Sequence, residues 1–250
     1  MLKVKNLKVY YASTLAVDNV SMEIAEGETM GLVGKSGSGK STIAWAIMGM
    51  MEHMGGKCTG QIYFQGTSLL NQPNAYSNIL WKKIAIVPQA AMNSFNPVMK
   101  IGCSIREVLK YHWQSLSSEE RRIMCKKLAE SVQLPEEVLL YYPHQMSGGM
   151  KQRAALAKAL ACKPKLLILD EATTGLDVLT EANLLKVVGR IQREENMSIM
   201  LISHDMRLVR SLCDSKIVLK DGKRVADTDG YVKELLDDSY WILPKGEGTC

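Results

Sequence analysis

The run Gly34-Lys35-Ser36-Gly37-Ser38-Gly39-Lys40-Ser41 has the spacing Gly-x-x-x-x-Gly-Lys-Ser and is entered from the apolar stretch Met30-Gly31-Leu32-Val33. These residue types suit a bound phosphate. Glycines let a backbone curl until its N–H groups point inward, and a helix starting at the loop adds the positive end of its dipole. Lys40 would reach terminal phosphate oxygens, and the hydroxyl of Ser41, followed by Thr42, would ligate Mg²⁺. A flexible glycine-serine turn has the same composition, but it lacks a strand before it and a helix candidate, Thr42 to Met51, after it.

Four further positions offer chemistry that a phosphate loop needs. In Leu166-Leu167-Ile168-Leu169-Asp170-Glu171, apolar residues deliver two carboxylates to the carboxyl end of a buried strand, where open α/β sheets place their ligands. Asp170 suits a Mg²⁺ held through water, and Glu171 suits a general base that polarises an attacking water. Gln89 follows the apolar run Ile84-Ala85-Ile86-Val87 and Pro88, and His204 follows Ser198 to Ser203. From strand ends, a glutamine can reach a metal or a phosphate-held water and a histidine can hydrogen-bond a terminal phosphate. Taken alone, each is also an ordinary polar residue at a strand terminus. Tyr11, with Tyr10 as the competing residue, could stack on a nucleotide base, or simply be a half-buried tyrosine ending a strand. Ser147-Gly148-Gly149 before a helix makes a second possible anion nest, although Ser-Gly-Gly is also a common helix entry. His144, just ahead of it, reads as a surface or packing histidine.

The elements that must hold these residues are legible in outline. Strands are expected over Leu2 to Val9, Asn19 to Ile24, Gly60 to Gly66, Ile84 to Val87, Leu166 to Leu169 and Ser198 to Ser203, with a hairpin of Lys216 to Leu219 and Lys223 to Ala226 turned by Asp221-Gly222. Asn71 to Asn78 and Ala90 to Lys100 read as loops. From Ile101 to Lys165 the texture is helical. A capping box, Ser117 with Glu120, opens a helix whose positions Ile123, Met124, Leu128 and Val132 share a face. Another helix runs from about Met150 to Cys162 and stops before Pro164. A third spans Leu179 to Glu194, and a short one covers Tyr231 to Leu236. Trp241 to Cys250 receives no role.

Composition bounds the rest. A chain of 250 residues, 23% charged and 46% hydrophobic, is long enough for one large domain with a substantial core. The formal charge of +5 is mild and not blocked, so it argues little for nucleic acid. Six scattered cysteines, with no Cys-x-x-Cys pair, read as reduced, idle thiols. No run of apolar residues is long enough for a secretory signal or a membrane span, which places the chain in the cytoplasm.

Taken in order, the phosphate loop, Gln89, Met146-Ser147-Gly148-Gly149-Met150, Asp170-Glu171, Asp177 and His204 resemble the ATP-binding subunits of ABC transporters. The signature departs from the common Leu-Ser-Gly-Gly-Gln at its first and last positions. Tyr142-Pro143-His144, Ser94-Phe95-Asn96-Pro97-Val98-Met99 and Thr173-Thr174-Gly175-Leu176-Asp177-Val178 resemble the oligopeptide, dipeptide and nickel importer branch.

The resemblance implies an α/β fold: a P-loop NTPase core with a mainly parallel sheet, N-terminal antiparallel strands and an inserted helical subdomain. The core would be 1–89 and 163–227, the subdomain about 90–162, and the tail 228–250. It implies ATP and Mg²⁺ as ligands, with ATP on Tyr11, Gly34 to Thr42 and Gln89. The metal would lie on Ser41, Gln89 and Asp170, with Glu171 and His204 catalytic. Ser147, Gly148, Gly149 and Asp177 would serve the nucleotide of a second ATPase subunit, identical or paralogous. Two integral membrane permease subunits and an extracytoplasmic solute-binding protein would complete the system, with this chain peripheral on the cytoplasmic face. Peptides or nickel complexes are the expected cargo, and no nucleic-acid partner is expected. A soluble ABC ATPase acting on nucleic acid or ribosomes, or an exporter subunit, are the alternatives.

Overall fold

The computed structural model describes residues 1–70, 79–80, 82–89, 94–226 and 228–237. The expected loop at 71–78 and the stretch 241–250 lie outside them, as does part of the expected loop at 90–100. The order is β1 (Leu2–Tyr11), β2 (Thr14–Ile24), β3 (Thr29–Val33), α1 (Lys40–Ile47), β4 (Gly56–Phe64), β5 (Thr67–Ser68) and β6 (Ile84–Val87). Then come α2 (Ile101–His112), α3 (Ser118–Ser131), α4 (Gly148–Leu160), β7 (Leu166–Asp170), α5 (Val178–Glu195) and β8 (Ser198–Ser203). The chain continues through α6 (Met206–Leu212), β9 (Ser215–Lys220), β10 (Lys223–Val225) and α7 (Gly230–Asp237).

Two sheets form. The larger has the order β10-β9-β3-β8-β7-β6, parallel throughout except for the antiparallel β9–β10 hairpin. The smaller, β2-β1-β4-β5, is antiparallel. Strands buried on both faces need apolar residues at every position, and β6, β7 and β8 are buried at every position. Because successive side chains point to opposite faces, these strands feed two cores. Leu167, Leu169, Ile199 and Leu201 join the helical side, while Leu166, Ile168, Met200 and Ile202 face α1 and the antiparallel sheet.

Some boundaries differ from expectation for local reasons. Helix α1 ends at Ile47 rather than Met51, because Gly49 takes a left-handed φ of 66° and the N–H of Met50 returns to the carbonyl of Trp45, a glycine-terminated helix end. On α3 the expected face holds in part: Val132 is buried and Met124 and Leu128 pack half-buried on the core, with Cys125 and Ala129 buried between them, whereas Ile123 is 45% exposed. Small Cys125 and Ala129 let α3 pack closely on α2 and α4, which turns Ile123 outward. The Ser117–Glu120 capping box is present in both directions. His144 is exposed and stacked on Tyr142, with ring centroids 5.7 Å apart. Burial pushes the thiols of Cys58 to about 11 and of Cys162 and Cys213 to about 12, so these thiols stay protonated and inert.

Within the stretch expected as a tail, residues Gly230–Asp237 form a packed helix. Tyr231, Val232 and Leu235 of α7 are buried in the helical-side core, and the helix packs on α6.

Candidate active site

Strand order alone gathers the chemistry. β3, β8, β7 and β6 are neighbours and parallel, so their carboxyl ends lie in a row. From β3 comes the phosphate loop, from β8 His204, from β7 Asp170 and Glu171, and from β6 Gln89.

The loop is crowded where its glycines stand. A Cβ on Gly34 would lie 2.3 Å from the Leu219 carbonyl oxygen, and Gly39, at φ 98°, would bring one to 2.9 Å from that of Ala16. Both positions therefore require glycine. Beyond Gly39 the first turn of α1 carries Lys40, Ser41 and Thr42. The Lys40 ammonium, 4% exposed, donates to the carbonyls of Gly34 at 2.7 Å and Lys35 at 3.0 Å and lies 3.6 Å from Glu171 Oε1. Burial pulls its pKa below the usual lysine value, against the pull of Glu171.

At the end of β7, the Ser41 hydroxyl donates to Asp170 Oδ1 at 2.8 Å. Burial lifts the Asp170 pKa, opposed by that hydrogen bond. Glu171 leaves the strand with a left-handed φ of 47°, an uncommon and costly conformation for a non-glycine residue. Its carboxylate accepts from Gln89 Nε2 at 2.9 Å, and His204 Nδ1 lies 3.9 Å from Oε2, near but beyond hydrogen-bond range. Lys35, Ser36, Glu171, His204, Asp205 and Arg207 line a cavity of about 530 Å³ beside the loop.

These groups fit a phosphate ligand and a hard divalent ion. Ser38 Oγ, inside the loop, is buried without a hydrogen-bond partner, a donor left over for an oxyanion. The Ser41 hydroxyl and the Asp170 carboxylate are oxygen donors of the kind Mg²⁺ takes. Among the described residues no group of three or more His, Cys, Asp or Glu is set to hold a metal by itself, so oxygens of the ligand would have to complete the coordination.

The second nest lies elsewhere. Ser147 Oγ caps α4 by accepting from Met150 N at 3.3 Å. Asp177 caps α5, accepting from the N–H and hydroxyl of Thr180 at 3.0 and 2.6 Å, and the hydroxyl bond holds its carboxyl below the usual aspartate value. Ser147, Gly148, Gly149, Arg153 and Asp177 line a separate cavity of about 380 Å³, which shares no lining residue with the first. Arg153 shapes its rim, donating to the Val132 carbonyl at 2.9 Å and the Gln133 side chain at 3.1 Å.

Tyr11 stands apart from both. Its hydroxyl approaches Met51 Sδ at 3.9 Å, and it pairs across the hairpin with Thr14, two residues before the Ala16 carbonyl that overlies Gly39. The sequence reading missed Asp205, Arg207 and the α7 residues at the loop. Tyr231 Oη accepts from the Lys35 N–H at 2.8 Å, and Glu234 pairs with the Lys35 ammonium at 2.5 Å. A helical pattern marked α7, but nothing local indicated where it would dock.

Residues 17–174 match the family model described as ABC transporter. An oligopeptide transport ATP-binding protein, OppD of Haemophilus influenzae, is 39% identical over 230 residues, covering 89% of this chain and 71% of that protein. AppD of Bacillus subtilis, also an oligopeptide transport ATP-binding protein, is 40% identical over 233 residues, with 90% and 71% covered. A dipeptide transport ATP-binding protein, DppD of Haemophilus influenzae, is 38% identical over 242 residues, with 94% and 72% covered. Among solved structures, a dimeric bacterial ABC transporter cassette superposes with a TM-score of 0.81 at 28% identity, covering 90% of this chain and 97% of that one. A cassette in a post-hydrolysis state with bound ADP and Pi superposes with a TM-score of 0.79 at 28% identity, with the same coverage.

Proposed function

This chain belongs to the ABC transporter family, and on that footing we propose that it is an ATPase subunit that energises peptide import through a membrane permease. The observation that carries the reading is the convergence of Lys40, Ser41, Asp170, Glu171, Gln89 and His204 at neighbouring carboxyl ends of one parallel sheet.

In the proposed reaction, loop N–H groups and the Lys40 ammonium hold the β and γ phosphates, and Lys40 exchanges the carbonyls of Gly34 and Lys35 for phosphate oxygens. Gln89 releases Glu171, which accepts a proton from water as the water oxygen bonds to the γ phosphorus. The bond from that phosphorus to the β–γ bridging oxygen breaks, and ADP departs with the electron pair. His204 donates to a γ oxygen. Ser41 and Asp170 would hold Mg²⁺, which supplies charge neutralisation at the phosphates. Ser147, Gly148, Gly149 and Asp177 serve the nucleotide of a second cassette. What supports this division is their separate cavity and the dimeric form of the related cassette. Closure of the pair on ATP is a population shift that hydrolysis and phosphate release reverse.

Membrane permease partners follow from the importer relatives. Among the described residues no helix is long and apolar enough to cross a membrane, so we propose that attachment is peripheral, through two permease subunits, with a solute-binding protein delivering cargo. The peptide names of the relatives favour peptides over nickel complexes. The test is uptake: vesicles holding the assembled complex should accumulate peptide only with ATP on the side of this chain. Purification with bound RNA and without membrane subunits would overturn the reading.

A further inference from the structure

The peptide between Gly34 and Lys35 is held from both sides. Its carbonyl takes the Lys40 ammonium at 2.7 Å, and its N–H is donated to the Tyr231 hydroxyl at 2.8 Å. Because a peptide unit is planar and rigid, whatever fixes the N–H also fixes the direction of the carbonyl that carries Lys40. Tyr231 is itself held in place. It is 6% exposed, its N–H is capped by Asp229 Oδ1 at 2.8 Å, and the Lys220 ammonium lies 5.0 Å from its ring centroid. Val232 and Leu235 already bury the apolar side of α7. Phenylalanine at this position would keep the apolar docking of the helix and lose only the hydrogen bond to the loop. One turn further on, the Glu234 carboxylate draws the Lys35 ammonium toward α7, at the cavity that Lys35 shares with Glu171 and His204.

We infer that α7 is a brace on the phosphate loop, in which Tyr231 positions the Gly34–Lys35 peptide for ATP and Glu234 withholds the Lys35 ammonium from it. This rests on the nucleotide reading above. The two residues act with opposite sign on affinity. Tyr231 preorganises the loop and so strengthens binding, whereas Glu234 sets a negative charge beside a polyanion and takes up a cation that would otherwise favour it.

The test is titration of the 250-residue chain with Mg²⁺ and a non-hydrolysable ATP analogue at low salt. Tyr231→Phe, which keeps the ring, should weaken binding about two- to tenfold, the range set by one hydrogen bond. In the assembled complex it should raise KM for ATP more than it lowers kcat. Glu234→Gln, at an exposed position, should tighten binding about two- to threefold, with the gain fading at 0.5 M salt as the charges are screened. Unchanged affinity in Tyr231→Phe, or weakening by both variants alike, would overturn the brace. An unsubstituted chain that does not bind the analogue at all would instead overturn the nucleotide reading.

Discussion

The helix starts at Lys40 and at Gly148 are built from similar residues and stand in opposite states. Both follow small residues, and both offer backbone N–H groups at a dipole's positive end. Around Lys40, side chains from β6, β7 and β8 converge, and every one of Lys40, Ser41, Gln89 and Glu171 has a named partner in that cluster. Around Gly148, the polar side chains of Ser147 and Asp177 are spent on capping their own helices, and among the described residues the cavity is lined by no lysine and by no carboxylate besides Asp177. In the proposed reading the first region supplies the catalytic groups and the second an anion nest, so a complete site would combine the first region of one cassette with the second of another.

Substitutions can break this contrast, and the largest effect is expected at Glu171. Glu171→Gln should leave ATP binding intact and cut turnover of the assembled complex at least about a hundredfold, the usual worth of a general base. Near-normal turnover would remove Glu171 from that role. Lys40→Ala should weaken ATP binding by the lone chain roughly tenfold or more, because a charge-assisted phosphate contact disappears; equilibrium titration reads it directly. Ser147→Ala should leave ATP binding by the lone chain unchanged while lowering turnover of the assembled pair several-fold, the worth of about one hydrogen bond. If it weakens nucleotide binding by the isolated chain, the two regions are not separate.

The smallest expected effect concerns stability. Burial raises the Asp170 pKa above the ordinary aspartate value, so the folded chain binds the proton more tightly than the unfolded one. Ionising Asp170 therefore removes stability as pH rises through the window that begins at the unfolded value. Asp170→Asn should melt a few degrees higher than the unsubstituted chain at pH 7, nucleotide-free. That difference should narrow as pH falls toward 4, and thermal scans across pH check it. A lower melting temperature at pH 7 would mean that the buried carboxylate is not a cost.

Much of the first region was legible because its signals are local: the loop spacing and the apolar runs that end in Asp170-Glu171 and His204; the cap of Ser117 with Glu120 on α3 was legible for the same reason. Parallel order was implied by runs buried on both faces, and neighbouring strand ends then bring Gln89 to Glu171. Contacts between distant segments that lack such signals were not legible. Tyr231 meets the loop across 196 positions of sequence, and only docking of α7 decides that meeting. On α3, Met124, Leu128 and Val132 face the core as expected, but Ile123 does not, because periodicity weights large side chains whereas small Cys125 and Ala129 set the packing. Tyr11, read either as a base platform or as a half-buried tyrosine ending a strand, has its hydroxyl 3.9 Å from Met51 Sδ, which leaves both readings of the ring open.

If one chain carries two half-sites, as proposed, turnover per chain must depend on assembly state. ATP hydrolysis should be followed while size is measured, from dilute monomer to the complex paired with a second cassette. The monomer should bind ATP but hydrolyse it poorly, with turnover rising as pairs form. A verified monomer that turns over ATP as fast as the assembled complex would contradict the proposal.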